Sequence, residues 1–286
     1  MGGWAGASGG WVDGSIDGAV GLPELGDVRA YDLAVRLEPG MARHPAHPPF
    51  AFTLVKAHEE HAHADGVSWT AGLLTMADHA GTHVDALGHV SACGELHGGE
   101  RAAGAATPDG GLAVASIEEA PPLVGPGHLV DAPALLGREL TPGNGIGAAE
   151  LERWFDPRPA PGPGAIVLLR TGWMRHWGDP DAYAGLATGV PGLTLDGAEW
   201  LSEREVLAIG ADTAGLERKT AGTTCLDVHV HLLVERGIHI VESLQLEGLA
   251  ADGVTEFAFF AAPLRIAGGT GSPLRPLAFV PLDLRR

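Results

Sequence analysis

Cysteine is almost absent. Cys93 and Cys225 are the only two in 286 residues, too few for a disulfide framework, so reduced thiols are expected. Positive charge is scarce too: 18 Lys and Arg stand against 36 Asp and Glu, a formal net charge of −18. A chain this acidic, with its basic residues scattered, repels phosphate backbones, which argues against a nucleic-acid partner. No uninterrupted apolar run reaches the roughly 18 residues of a spanning helix. The first 28 residues hold no Lys or Arg to begin a signal peptide. The expectation is a cytoplasmic protein with no membrane partner. Gly and Pro, 43 and 21 residues, stay under the roughly 25–30% that marks a low-complexity chain, so the protein folds and is turn-rich. Tyrosine and phenylalanine are few, 2 and 7, against 14 histidines. That imbalance directs attention to metal and acid/base chemistry.

Residues 1–27 form a Gly-rich arm without periodicity. One folded domain is expected over 28–286. It begins where Tyr31, Leu33, Val35 and Leu37 alternate with polar or small residues in a strand-like period of two. Further strands are predicted at Phe50 to Lys56, Val67 to Met76, Ala165 to Arg170, Val206 to Gly210, Ile238 to Glu242, Thr255 to Ile266 and Leu277 to Val280. Helices are predicted near Ala148 to Phe155, Leu195 to Arg204 and Leu226 to Arg236. Helices coming singly between more numerous strands give an α/β class with a mixed sheet or open barrel.

Three pattern matches carry little. Gly6, Ser8 and Gly10 complete GxSxG, but that elbow needs a strand before it and a helix after it. Gly143, Gly145 and Gly147 lack the feeding strand of a phosphate loop. His58, Glu59 and His61 fall one residue short of HExxH.

The segment Asp78 to His89, DHAGTHVDALGH, is different. His79 and His83 lie four apart and His83 and Asp85 two apart, so a turn running into a strand aims all three inward. Two imidazoles and a carboxylate suit a divalent metal, zinc or manganese, with positions left open for water and substrate. Gly81 lets the backbone bend so that the three meet. His89 reaches the same pocket and can serve as a general base. Any one of these histidines alone would more often be structural, but four ionisable residues so close together favour a metal site, because buried charge without a partner is costly.

A second group lies far along the chain. Leu226, Val230 and Leu233 form a helical stripe that contains His229, so His229 is predicted to face inward and His231 to face water. In the next strand Glu242 shares a side with Ile238 and Ile240. A buried Glu is rare unless paired, so His229 and Glu242 read as further ligands or as their supports.

At these residues the chain resembles the cyclase family of metal-dependent hydrolases, the group that includes bacterial kynurenine formamidase and isatin hydrolase. The signature HxGTHxDxPxH is met at His79, Gly81, Thr82, His83, Asp85 and His89. Leu87 stands where the formamidases usually have proline. LLRTGW (168–173), IGADT (209–213), GIHIVESL (237–244) and GSPLR (271–275) follow in family order. The resemblance implies a swivelling β/β/α-type domain assembled as a homodimer or homotetramer. It implies a first metal at His79, His83 and Asp85, an acid/base role for His89, and in dinuclear members a second metal at Asp85, His229 and Glu242. A one-residue length difference leaves His231 as an alternative to His229, and the helical stripe favours His229.

The resulting expectation is a hydrolase that opens an amide or lactone bond of a small cyclic or aryl substrate. His44, His47, Trp69 and Trp173 are nominated for the pocket rim. Two rival readings exist: a non-haem iron oxygenase using His83, Asp85 and His229, and a non-catalytic metal- or ligand-binding protein. His79 would be an unexplained ligand in the first, and the second gives His89 no task.

Overall fold

A computed structural model describes residues 27–58, 63, 65–222 and 226–282. The Gly-rich arm up to Gly26, the GxSxG match, Glu59, His61 and Cys225 lie outside the described residues. The chain builds a nine-stranded mixed sheet. From edge to edge its strands are Val28–Asp32, Leu277–Pro281, Glu256–Ala261, Leu123–Asp131, Ile166–Arg170, Ala208–Ala211, His239–Glu242, His83–Asp85 and Gly271–Pro273. The neighbours from Leu123–Asp131 to His239–Glu242 run parallel, and the remaining pairs are antiparallel. The sheet is therefore mixed and open, in the α/β class that the sequence pattern indicates.

The central strands are apolar on both faces, as a parallel sheet covered on both sides requires. Val167, Leu169, Ile209 and Ile240 face the helices Ala148–Phe155 and Leu195–Ser202 and the segment after Asp227. Ile166, Leu168, Ala208 and Val241 point the other way, into a second core with Val84, Leu129 and Phe259. The helix Ala148–Phe155 begins with Glu150 accepting a hydrogen bond from Gly147 N at 3.1 Å, and it buries Leu151, Trp154 and Phe155. Phe155 stacks on Trp200 with ring centroids 5.7 Å apart, which locks the two helices together.

Several predicted elements change. The alternation at Tyr31–Leu37 persists as burial, with Tyr31, Leu33 and Val35 inside, but the strand ends at Asp32. The run to Ile266 stops as a strand at Ala261, before Pro263, and the run from Val67 becomes a strand only over Ala71–Thr75. The longest strand, Leu123–Asp131, was not expected, because Gly125, Pro126 and Gly127 break its pattern. Those residues fit nonetheless. Pro126 precedes the parallel ladder, which starts at Gly127, and a Cβ on Gly127 would stand 2.1 Å from the Phe257 ring.

The helix predicted over Leu226 to Arg236 is α-helical only at Asp227–His229 and continues as a π-helix over Val230–Arg236. The helix Leu195–Ser202 packs over this face and overturns the placement of His231 in water. His231 is buried, its Nε2 2.9 Å from Ser202 Oγ and its Nδ1 2.8 Å from Glu235.

Candidate metal centre

The site forms where the strand His83–Asp85 crosses the end of His239–Glu242. His83 lies directly opposite Glu242 in the antiparallel register. Asp85 is two residues along, so it projects from the same face, while Val84 points into the core. His79 arrives from the turn before this strand. Gly81 makes that turn with a φ of 63°, and a Cβ there would lie 2.6 Å from Leu37. Thr82 fastens the turn by donating to the Ser243 carbonyl at 2.6 Å and accepting from Val35 N at 2.9 Å. His89 follows in the next turn, its ring centroid 4.1 Å from that of His79.

The imidazoles are held from behind. His83 Nδ1 lies 2.8 Å from the Gly81 carbonyl oxygen, leaving Nε2 free to face Asp85 Oδ1 at 3.6 Å and Glu242 Oε2 at 3.5 Å. His79 Nε2 lies 2.9 Å from Thr270 Oγ1, whose hydroxyl donates to Asp78 at 2.7 Å, and His79 Nδ1 is 2.8 Å from Asp85 Oδ1. His229 directs Nε2 to Glu242 Oε1 at 3.2 Å and to Asp85 Oδ2 at 3.8 Å. Its Nδ1 lies 2.7 Å from Glu217 Oε1, and Glu217 also accepts from Val228 N at 3.0 Å. Ring nitrogens fixed in this way leave their partners' lone pairs pointing inward.

Two donor groups result, His79 with Asp85 and His89, and Asp85 with His229 and Glu242. The ligand atoms within each lie inside 4.8 Å of one another. Asp85 belongs to both, and His83 sits between them. Asp85 and Glu242 are only 1% and 6% exposed. Despite the nearby nitrogens, Asp85 Oδ1 and Glu242 Oε1 accept no aligned hydrogen bond from any described residue. Two buried carboxylates facing imidazole nitrogens across a gap are costly unless a cation fills it. The residues present therefore fit a divalent metal.

Without a cation, protons held on the imidazoles offset part of that cost. Burial disfavours a charged His83, but the hydrogen bond and charge of Glu242 outweigh it and hold its pKa at about 9. Burial also opposes charge on His229, yet Glu217 and Glu242 raise it to about 10. Glu242 lies well below the ordinary carboxylate range: burial pushes it up, and the two histidines pull it down further. His89 goes the other way. Desolvation lowers it most, Asp85 opposes, and His79 and His229 lower it again, which favours the neutral ring.

These groups line a cavity of about 280 Å³, shared with His44 and His47. Trp69 and Trp173 are corrected. Trp173 is buried among Val35, Tyr183 and Val190, its indole N–H donating to the Tyr183 carbonyl at 3.0 Å. Trp69 is an exposed residue beside a hairpin, with Lys56 Nζ 3.8 Å from its ring centroid. His231 is not among the clustered donors; His229 is. Glu217 and Thr270 went unnoticed in the sequence, since both lie in irregular segments that carry no periodic signal.

The fold and site together define an α/β protein with a buried histidine–carboxylate centre opening on a small cavity. Residues 31–218 match the putative cyclase family, and the chain belongs to it. An isatin hydrolase from Roseibium aggregatum is 27% identical over 223 residues, 76% of this chain and 78% of that protein. A kynurenine formamidase from Bacillus thuringiensis is 27% identical over 244 residues, 85% of this chain and 94% of that protein. Among solved structures, one described as a novel cyclase aligns with TM-score 0.81 at 27% identity, covering 89% of each chain. An isatin hydrolase bound to the product analogue thioisatinate aligns with TM-score 0.67 at 25% identity, covering 89% of this chain and 93% of that one.

Proposed function

We propose that this protein is a metal-dependent hydrolase that opens an amide or lactone bond in a small cyclic or aryl substrate. The observation that carries this reading is the pair of buried carboxylates, Asp85 and Glu242, with oxygens lacking aligned hydrogen bonds and three imidazoles facing them. The named relatives, an isatin hydrolase and kynurenine formamidases, support the hydrolytic class.

His79, His83 and Asp85 would hold a first metal and Asp85, His229 and Glu242 a second, zinc or manganese, since both accept this nitrogen and oxygen set. Such a cation, when bound, acidifies water and polarises a carbonyl. The protein's own residues do the rest. His89 opens onto the cavity and its pKa is lowered toward the neutral ring, so it can take a proton from the attacking water and return it to the leaving nitrogen or oxygen. Thr270 and Asp78 keep the ring of His79 from rotating, and the Glu217 carboxylate lies against Nδ1 of His229 as its charge partner. The domain 28–286 is read as the catalytic unit, acting in the cytoplasm as a homodimer or homotetramer.

The test is to load the purified protein with zinc or manganese, count metal atoms per chain by elemental analysis, and assay N-formyl anilines and aryl lactams. Metal-dependent hydrolysis is the expected result. Absence of any bound divalent metal would refute the reading.

A further inference from the structure

The chain contains only two lysines, Lys56 and Lys219; its other basic residues are all arginine. Lys56 lies over the Trp69 ring on the protein surface. Lys219 lines the cavity of the metal centre.

Its backbone is fixed by a two-stranded ribbon in which Val190 pairs with Lys219 and Gly189 with Thr220. Room for its ammonium comes from Gly215, where a Cβ would stand 2.9 Å from Nζ. Arg43 lines the same cavity, but its Nη1 already donates to the carbonyls of His44, Pro45 and His47 at 3.3, 3.3 and 2.8 Å. That guanidinium organises a turn. Lys219, by contrast, makes no ion pair or side-chain hydrogen bond with any described residue.

Acidic residues outnumber basic ones 36 to 18, so a cation left without a carboxylate is unusual for this chain. Cations on a cavity wall are half-desolvated, and an anion arriving there gains a charge-assisted hydrogen bond. The acids deeper in the site face histidines and make no ion pair with Lys219. A cavity of about 280 Å³ is small enough for one ligand to reach both the histidine cluster and Lys219.

We infer that Lys219 binds an anionic group of the substrate, so that the preferred amides carry a carboxylate at the end away from the scissile bond. This deepens the hydrolase reading and rests on it for the substrate, though anion binding is measurable without turnover.

The experiment uses the full-length, metal-loaded protein and two matched compounds: N-formylaniline and its para-carboxylate analogue. The wild type is expected to favour the carboxylate in kcat/KM by roughly tenfold or more, chiefly through KM. Lys219→Gln should bring that ratio close to one, and Lys219→Arg should restore most of it. Calorimetric titration with benzoate supplies the second readout, with roughly tenfold weaker binding expected in Lys219→Gln. Equal kcat/KM for the two amides in the wild type would overturn the inference. So would a preference and a benzoate affinity that Lys219→Gln leaves intact, which would place the carboxylate on the metal. If neither amide is hydrolysed, the amide form of the hydrolase reading fails. Lys219-dependent benzoate binding would still support the anion site in that case, and Lys219-independent or absent binding would refute it.

Discussion

His229 Nδ1 stands 2.7 Å from Glu217 Oε1, and this contact turns the opposite nitrogen, Nε2, toward Asp85 and Glu242. A carboxylate behind a ligating imidazole fixes the ring and raises its basicity, typically altering metal affinity by about 10–100-fold. Glu217→Gln keeps an acceptor for the ring but removes the charge, so it should weaken metal binding by roughly tenfold. Glu217→Ala removes both and should weaken it more. Competition against a chromophoric chelator measures this directly, and unchanged affinity in both variants would exclude a supporting role for Glu217.

His89 and Asp85 should separate cleanly. Under the proposed ligand assignment His89→Ala removes a proton acceptor at the cavity but leaves His79, His83, Asp85, His229 and Glu242 in place, so metal content should persist while kcat falls by about 10²–10⁴. Asp85→Ala removes the acid common to both donor groups and should lose metal and turnover together. Elemental analysis alongside steady-state kinetics distinguishes the two. Full turnover in His89→Ala would remove it from the chemistry.

The metal-free cluster should be sensitive to alkali. His83 and His229 have pKa values raised from 6.5 to about 9 and about 10. Groups raised on folding contribute stability that is complete below the unfolded pKa and is lost as pH climbs through the folded one. The chelated protein should therefore hold its Tm contribution at pH 6 and lose it progressively between pH 7 and 10. Metal must displace those protons, so apparent affinity should rise with pH over the same window and binding should release protons. Thermal melts of chelated protein across that range check the first expectation. A chelated Tm that rises from pH 7 to 10 would contradict it.

What could be read in the sequence follows from which contacts are local. His79, His83 and Asp85 sit within seven residues, so spacing alone brings them to one turn and strand. Glu242 was readable because a strand alternates strictly and an acid on the apolar side needs a partner. Glu217 was not, because it lies in an irregular segment and reaches His229 only through tertiary folding. Lys219 likewise gains meaning only from the cavity it borders. The strand Leu123–Asp131 is hidden by Gly125, Pro126 and Gly127, although the two glycines make room for the Gly164 carbonyl and the Phe257 ring. The burial of His231 is not legible because Ser202, which covers it, lies 29 residues away and meets it only in the folded chain.

The proposed assembly makes its own demand on the hairpin formed by Ala51–Lys56 and Ala71–Thr75. Phe52 pairs with Leu74, and Leu54 lies on the same face; Leu73, opposite Thr53, lies on the other. Phe52, Leu54, Leu73 and Leu74 are each more than half exposed. A two-stranded ribbon apolar on both sides is marginal in water by itself, and neighbouring subunits would cover it. Burying such side chains fully contributes about 1.5–3 kcal/mol each. Replacing Phe52 and Leu74 by Asp in every subunit should thus raise the dissociation constant by roughly a hundredfold or more. Light scattering after size-exclusion chromatography should find two or four chains for the wild type and a smaller mass for the double variant. An identical mass for both would mean that this hairpin does not hold the assembly together.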